Sequence, residues 1–237
     1  MRRAARTLSR AVDGLECGAP VTHVYNPLEY AWRAHAEYLR RFADSRKKVL
    51  YVGMNPGPWG MSQTGVPFGE VSWVREFLGI ETKIGKPPRE HPKRPIDGFA
   101  CAHREVSGSR VWGAISEHFG SAQAFARHGL IVSYCPLVFM EASARNRTPD
   151  KLARHERDAL FAACDRHLVS VARILEPGRV IGIGAFARDR ARAVLGAEFR
   201  VDSILHPSPA SPIANRGWAP QVREQLAELG VCKRRPG

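Results

Sequence analysis

Nowhere in this 237-residue chain do about eighteen apolar residues run together, the least that a membrane-crossing helix needs. The opening residues, Met1-Arg-Arg-Ala-Ala-Arg-Thr-Leu-Ser-Arg10, lack the apolar segment of a secretory signal. Cysteine is sparse. Cys17, Cys101, Cys135, Cys164 and Cys232 are scattered, odd in number and never in C-x2-C spacing. That pattern argues for reduced thiols in an intracellular protein, without a structural zinc or a local iron–sulfur motif. The 9 histidines also lack metal-ligand spacing, so no metal and no other cofactor is expected. Internal repeats and low-complexity linkers are missing too. Acidic residues are in short supply, 23 against 36 Lys and Arg, for a net charge of +13. Such an excess implies a polyanionic partner, nucleic acid first. No amphipathic basic helix or lipidation signal supports a membrane surface.

What is present reads as α/β. Residues 1–20 are expected to be a disordered basic tail, 21–232 a single domain, and 233–237 a second basic tail. Asn26-Pro27 opens a helix with Asn as N-cap and Glu29 at N3; Leu28, Ala31, Trp32, His35, Tyr38, Leu39 and Phe42 share one face of it. Runs at 49–52, 130–135, 180–183 and 199–205 predict buried strands. Helical patterns alternate with them, stopped by Gly79, Gly120, Gly196 and Gly230, and Thr148-Pro149 caps a long helix running to about Leu175. The alternation predicts a central four-stranded parallel sheet flanked by helices. Gly182-x-Gly184 is a fragment of a dinucleotide fingerprint without its acidic partner, and is read as tight strand–helix packing. Residues 80–108 form a long basic loop, the kind that serves as a lid or a binding loop.

The stretch 49–70 organises the rest. A buried strand ends at Gly53, and the following loop carries Gly57, Gly60, Gly65 and Gly69 with Pro56, Pro58 and Pro67. Glycines permit close backbone approach and prolines stiffen the path. Asn55, Ser133, Gly184 and His206 each lie at or just past the C-terminal end of a predicted strand. In a parallel sheet those ends share one edge, so four distant positions converge on one crevice. Asn and His can both orient water and stabilise developing charge.

Gly53-Met-Asn-Pro-Gly-Pro-Trp-Gly-Met-Ser-Gln-Thr-Gly-Val-Pro-Phe-Gly69 and His206-Pro-Ser-Pro resemble the two signature motifs of the single-strand-selective monofunctional uracil-DNA glycosylases. The likeness continues through Tyr25-Asn-Pro-Leu-Glu-Tyr-Ala-Trp32, Glu90-His-Pro-Lys-Arg-Pro95, Val106-Ser-Gly108 and Ala214-Asn-Arg-Gly-Trp218, covering nearly all of the chain beyond residue 24. The resemblance implies a uracil-DNA-glycosylase-like fold and hydrolysis of the N-glycosidic bond of uracil, or of a 5-substituted uracil, in single- and double-stranded DNA. It also implies roles. Asn55 holds the attacking water and His206 stabilises negative charge on the departing base. Phe68 stacks on that base, Met54 joins the substrate-binding set, Gly57 and Met61 sense the 5-position, and Ser133 reads the hydrogen-bonding edge. Lys93, Arg94, Pro207, Ser208, Ala210 and Arg216 are expected to contact DNA. The protein is expected to be a monomer, in the nucleus of a eukaryote or the cytoplasm of a bacterium.

Chemistry is consistent with this. Glycosidic cleavage passes through a cationic sugar and an anionic leaving group, and needs only a placed water and donors aimed at the anion. Asn is no strong base, so the mechanism is dissociative; neither motif has a Lys, so no covalent intermediate is expected. Ser133 stands where the family usually has Asn, and Ala210 where it often has the Arg that fills the gap left by a flipped base. Two alternatives therefore stay open: a glycosylase preferring hypoxanthine or xanthine, and a non-catalytic binder of damaged or single-stranded DNA.

Overall fold

Residues 1–232 are described by the computed structural model; the basic tail expected at 233–237 lies outside them. From the N-terminus come α1 (Arg2–Val12), β1 (Val21–Tyr25), α2 (Pro27–Tyr30), α3 (Trp32–Phe42), β2 (Val49–Gly53) and α4 (Met61–Thr64). A π turn (Trp73–Phe77) and a 3-10 turn (Gly98–Ala100) lead to α5 (Val106–Phe119), α6 (Ala122–His128), β3 (Gly129–Ser133), β4 (Val138–Glu141) and β5 (Asn146–Arg147). The chain continues with α7 (Arg154–Leu175), β6 (Arg179–Ile183), α8 (Ala185–Leu195), β7 (Val201–Ile204) and α9 (Trp218–Glu228).

The expected parallel sheet is present, in the order β3-β2-β6-β7. Tyr51 pairs with Ile131 on one side and Ile181 on the other, and Ile183 pairs with Ile204. Every residue of β2 is buried, as a central strand covered on both faces requires. α5 and α9 cover one face, where Val111, Ile115, Trp218 and Val222 line a cavity together with Tyr51, Ile131, Ile183 and Ile204 of the sheet. The Gly182-x-Gly184 pair does serve packing: a Cβ on Gly182 would stand 2.2 Å from the Arg188 nitrogen of α8.

Elsewhere the fold departs from expectation. Most of the N-terminal stretch expected to be disordered is α1. Ala5, Leu8 and Val12 form one apolar stripe at helical spacing, and all are buried. Burying Leu8 and Val12 contributes roughly 1.5–3 kcal/mol each, enough to hold a helix that its arginines disguise. Arg6 lies over Trp32, 3.7 Å from the ring centroid, and Glu156 of α7 accepts from the Gly18 nitrogen at 2.6 Å. A second, antiparallel sheet, β1-β4-β5, also went unforeseen, because its strands are short and β1 carries an irregularity between Val21 and His23. The helix capped by Asn26 breaks at Ala31, whose φ is −106°. The long helix starts at Arg154, after a separate 3-10 turn at Pro149–Lys151. No helix among the described residues is long and apolar enough to cross a membrane.

Candidate active site

Beyond their paired ends, β2 and β3 stay in register: Tyr134 N donates to Gly53 O and Cys135 N to Met54 O, both at 2.9 Å. This continuation brings Asn55 beside Leu137. The Asn55 Nδ2 group donates to Leu137 O at 3.2 Å and Pro56 O at 3.4 Å. Two carbonyls can be met only by the amide nitrogen, so the amide is oriented and Oδ1 is left to accept from water.

The loop behind Asn55 is braced from within. Ser62 Oγ donates to Gly57 O at 2.7 Å and Thr64 Oγ1 to Gly69 O at 2.8 Å. Gln63, 0% exposed, donates to Pro58 O and Pro95 O at 3.0 Å each and accepts from Asp97 N at 2.9 Å and Gly98 N at 3.0 Å. One amide thus binds the Asn55 loop to the basic loop. Phe68 sits at φ +53°, a left-handed conformation that costs a non-glycine residue of order 1–3 kcal/mol. Its ring lies so close over the end of β2 that a Cβ on Gly53 would come within 2.7 Å of it. Met61 is buried, and Ser133 Oγ donates to its sulfur at 3.4 Å.

At the other end of the sheet, Leu205 is held by Gln225, which accepts from its nitrogen at 2.8 Å, and by Trp218 Nε1, which donates to its oxygen at 2.8 Å. His206 follows. Gly184, at φ +92°, makes room for it, since a Cβ there would stand 3.0 Å from the His206 Cβ. Ser208 N donates to His206 Nδ1 at 3.1 Å. Nδ1 is therefore an acceptor, and in the neutral ring the proton sits on Nε2. Burial pushes the imidazole pKa below its ordinary value, which favours that neutral form.

Sequence reasoning missed several members. Glu105 caps α5, accepting from Ser107 N at 3.2 Å and Gly108 N at 2.7 Å. Its carboxyl is pushed up by burial and lies against Gly60, whose Cβ would stand 3.0 Å away. Arg110 grips the far loop, donating to Pro207 O at 2.9 Å and Ser208 O at 3.4 Å. Ile213 is 55% exposed in the loop after His206. Only that exposure, which sequence cannot give, marks it out.

Of the expected DNA contacts, Pro207 is buried while Lys93, Ala210 and Arg216 are exposed. Arg94 is half-buried: it lies over Trp59, 4.9 Å from the ring centroid, and its Nε is buried without a partner. Trp59 stacks on His103 with centroids 4.0 Å apart. The basic loop is anchored, not solvated. His91 is buried, its nitrogen donates to the Tyr25 hydroxyl at 2.6 Å and its Nδ1 accepts from Lys93 N at 3.1 Å. Two further cations are spoken for, Arg147 by Glu141 at 3.0 Å and Arg188 by Asp189 at 2.8 Å. Among the described residues, no group of three His, Cys, Asp or Glu side chains is arranged to hold a metal ion.

No protein-family model matches the chain. A curated protein of Rattus norvegicus named single-strand selective monofunctional uracil-DNA glycosylase is 45% identical over 227 residues, 94% of this chain and 82% of that protein. Proteins of the same name from Mus musculus and Bos taurus are 44% and 46% identical, over 81% and 78% of their lengths. Among solved structures, that of wild-type Pedobacter heparinus SMUG2 superposes with a TM-score of 0.68 at 17% identity, covering 96% of this chain and 97% of that one. At that identity the last likeness concerns the fold alone.

Proposed function

Identity of 45% across 82% of a curated relative means that the chain belongs to the single-strand-selective monofunctional uracil-DNA glycosylase family, and from that membership we propose that it hydrolyses the N-glycosidic bond of uracil in DNA. One observation supports the assignment of roles above the rest. Asn55 and His206 lie past the ends of strands in one parallel sheet, the first with an amide oxygen left to accept from water, the second with Nδ1 occupied and Nε2–H left to donate. Asn55 holds the water on the sugar's open face. As the glycosidic bond lengthens, negative charge grows on the base oxygens and His206 Nε2–H donates to it; a pre-aimed donor in a buried site needs no reorganisation at that moment. The sugar becomes cationic, and the DNA phosphates favour that charge. Water then adds and its proton leaves to solvent.

Phe68 supplies the stacking face and Met61 closes the pocket near the ring's 5-position. Extruding the base leaves a gap in the stack. Ala210 is too short to fill it. Ile213, apolar and exposed in the same loop, fills it in the manner of other apolar wedges. Lys93 and Arg216 meet the phosphates.

A specific observation keeps a second reading in view. Among the described residues the Ser133 hydroxyl is held only by a thioether, a weak acceptor, so it can turn to donate or accept and read hypoxanthine or xanthine as well. Oligonucleotides carrying uracil, 5-hydroxymethyluracil, hypoxanthine or xanthine, incubated with enzyme and cleaved with alkali, decide between the readings. Uracil is expected to be excised fastest, and Asn55→Ala to abolish turnover while retaining binding. Excision of none of the four sinks the proposal; xanthine or hypoxanthine leading would promote the second reading.

A further inference from the structure

We propose that Arg110 is a positioning residue for His206, acting through the peptide bond that joins Pro207 to Ser208. The inference rests on the reading of His206 as the donor to the departing base. Arg110 belongs to neither signature loop; it projects from α5 towards the loop that follows β7. Its Nη1 donates to Pro207 O at 2.9 Å and to Ser208 O at 3.4 Å, and its Nη2 to Asn215 Oδ1 at 2.8 Å. Asn215 Nδ2 in turn donates to Pro209 O at 2.8 Å, closing the loop on itself.

The Pro207 carbonyl and the Ser208 N–H are opposite sides of one planar peptide unit. Ser208 N–H is the group that donates to His206 Nδ1, at 3.1 Å. Arg110 thus holds one side of the plate whose other side sets the imidazole. Its charge also acts along the plate. A cation on the carbonyl draws electron density out of the amide and strengthens the N–H as a donor, so the two bonds reinforce each other. The chain guanidinium, carbonyl, amide, Nδ1 fixes both the rotation of the ring and the nitrogen that keeps its lone pair.

The choice of partners fits this role. Among the described residues no carboxylate pairs with Arg110, and its bonds end on neutral oxygens, so its charge is not cancelled locally. A brace needed only for loop shape would work as well with a neutral donor. Ser107 Oγ, at 3.5 Å from Pro207 O, is such a donor, and by its length a weak one.

The test reads the His206 tautomer by nitrogen NMR in the DNA-free protein, beside single-turnover excision and affinity for uracil-containing DNA. In the wild type, Nδ1 is expected unprotonated and Nε2 protonated. Arg110→Gln should give mixed tautomers and slow excision by about 10- to 100-fold, by analogy with the loss of an outer partner of a metal-bound imidazole, with affinity changing far less. Arg110→Lys, which keeps a charged donor to one carbonyl, should restore the tautomer and most of the rate. Should Arg110→Gln not fold, as judged by circular dichroism, Asn215→Ala loosens the guanidinium from its exposed side and is read the same way, with a smaller shift. An unchanged tautomer overturns the inference. So does a parallel loss of rate and affinity with the tautomer intact, which would make Arg110 a phosphate contact. Because the tautomer needs no substrate, a wild type that excises no base defeats the functional reading and still leaves this one to be judged.

Discussion

Replacing Gln63 with Met should unfasten two loops at once. Met matches Gln in length but can neither donate to Pro58 O and Pro95 O nor accept from Asp97 N and Gly98 N, the four bonds that Gln63 makes at 2.9–3.0 Å. Asp97 is exposed, so its N–H reaches water instead. The other three groups are buried or half-buried, and an unsatisfied one costs about 1–3 kcal/mol. Partial relaxation lets water reach the half-buried proline carbonyls, which places the total near the low end, about 3–4 kcal/mol. For a chain of this size that is roughly a 6–16 °C fall in Tm. Urea unfolding and thermal melts measure it directly. Gln63→Glu makes the sharper control. A carboxylate keeps both bonds to N–H groups but faces the two carbonyls with no proton, so its folded-state pKa lies above the unfolded one. Its stability is then highest below the unfolded value and is lost as pH rises through the folded value, the reverse of a salt-bridged carboxylate. A loss below about 1 kcal/mol for Gln63→Met, or no recovery of Gln63→Glu in acid, would refute the bracing role.

Gly184→Ala should cost about 1–3 kcal/mol for the left-handed backbone and displace His206, slowing excision on the order of 100-fold; single-turnover rates at saturating enzyme test it. Lys93→Ala should flatten the slope of log affinity against log salt by about one unit, whereas Arg94→Ala should barely change it because that side chain is engaged with Trp59. Equal slopes for the two variants would contradict the difference. His35 is buried and His167 half-buried, and desolvation pushes both pKa values down to about 4. The unfolded chain takes up their protons as pH falls through 6.5 and the folded one does not until about 4, so stability is full above that window and declines across it, by about 3 kcal/mol per group at its lower end. Urea midpoints at neutral pH and near pH 4.5 check the sign, and His167→Phe should shrink the difference.

The parallel sheet was legible because central strands read as short apolar runs rich in Val and Ile, each followed by glycine or proline. Asn55 and His206 stood out because unusual residues fall just where strands stop, and Phe68 only through the motif that contains it. Other features were hidden for physical reasons. The stripe of α1 lies among arginines, so composition argued for a tail while periodicity argued for a helix. The strands of the antiparallel sheet are too short for a two-residue alternation to declare itself. Gln63, Glu105 and Arg110 are polar residues whose sequence reads as solvent-facing; their value lies in partners on other loops, and no local pattern encodes a contact between Gln63 and Asp97 or between Arg110 and Pro207. Arg94 misled in the opposite direction, since a cation in a basic run gives no hint that an indole covers it.

The distribution of the site over strand ends has a consequence for synthesis. Ribosomes deliver the Asn55 loop early, with β2 at the centre of a sheet whose neighbours do not yet exist. β3 and β6 emerge later, and β7 with His206 later still, and the end of β7 is secured only once Gln225 and Trp218 of α9 dock against Leu205. On the roles proposed for Asn55 and His206, an unfinished chain therefore carries the amide for water but not yet the donor for the departing base. On those proposed roles, excision is expected to switch on only after α9 has docked against Leu205, so a fragment that lacks α9 should not release uracil.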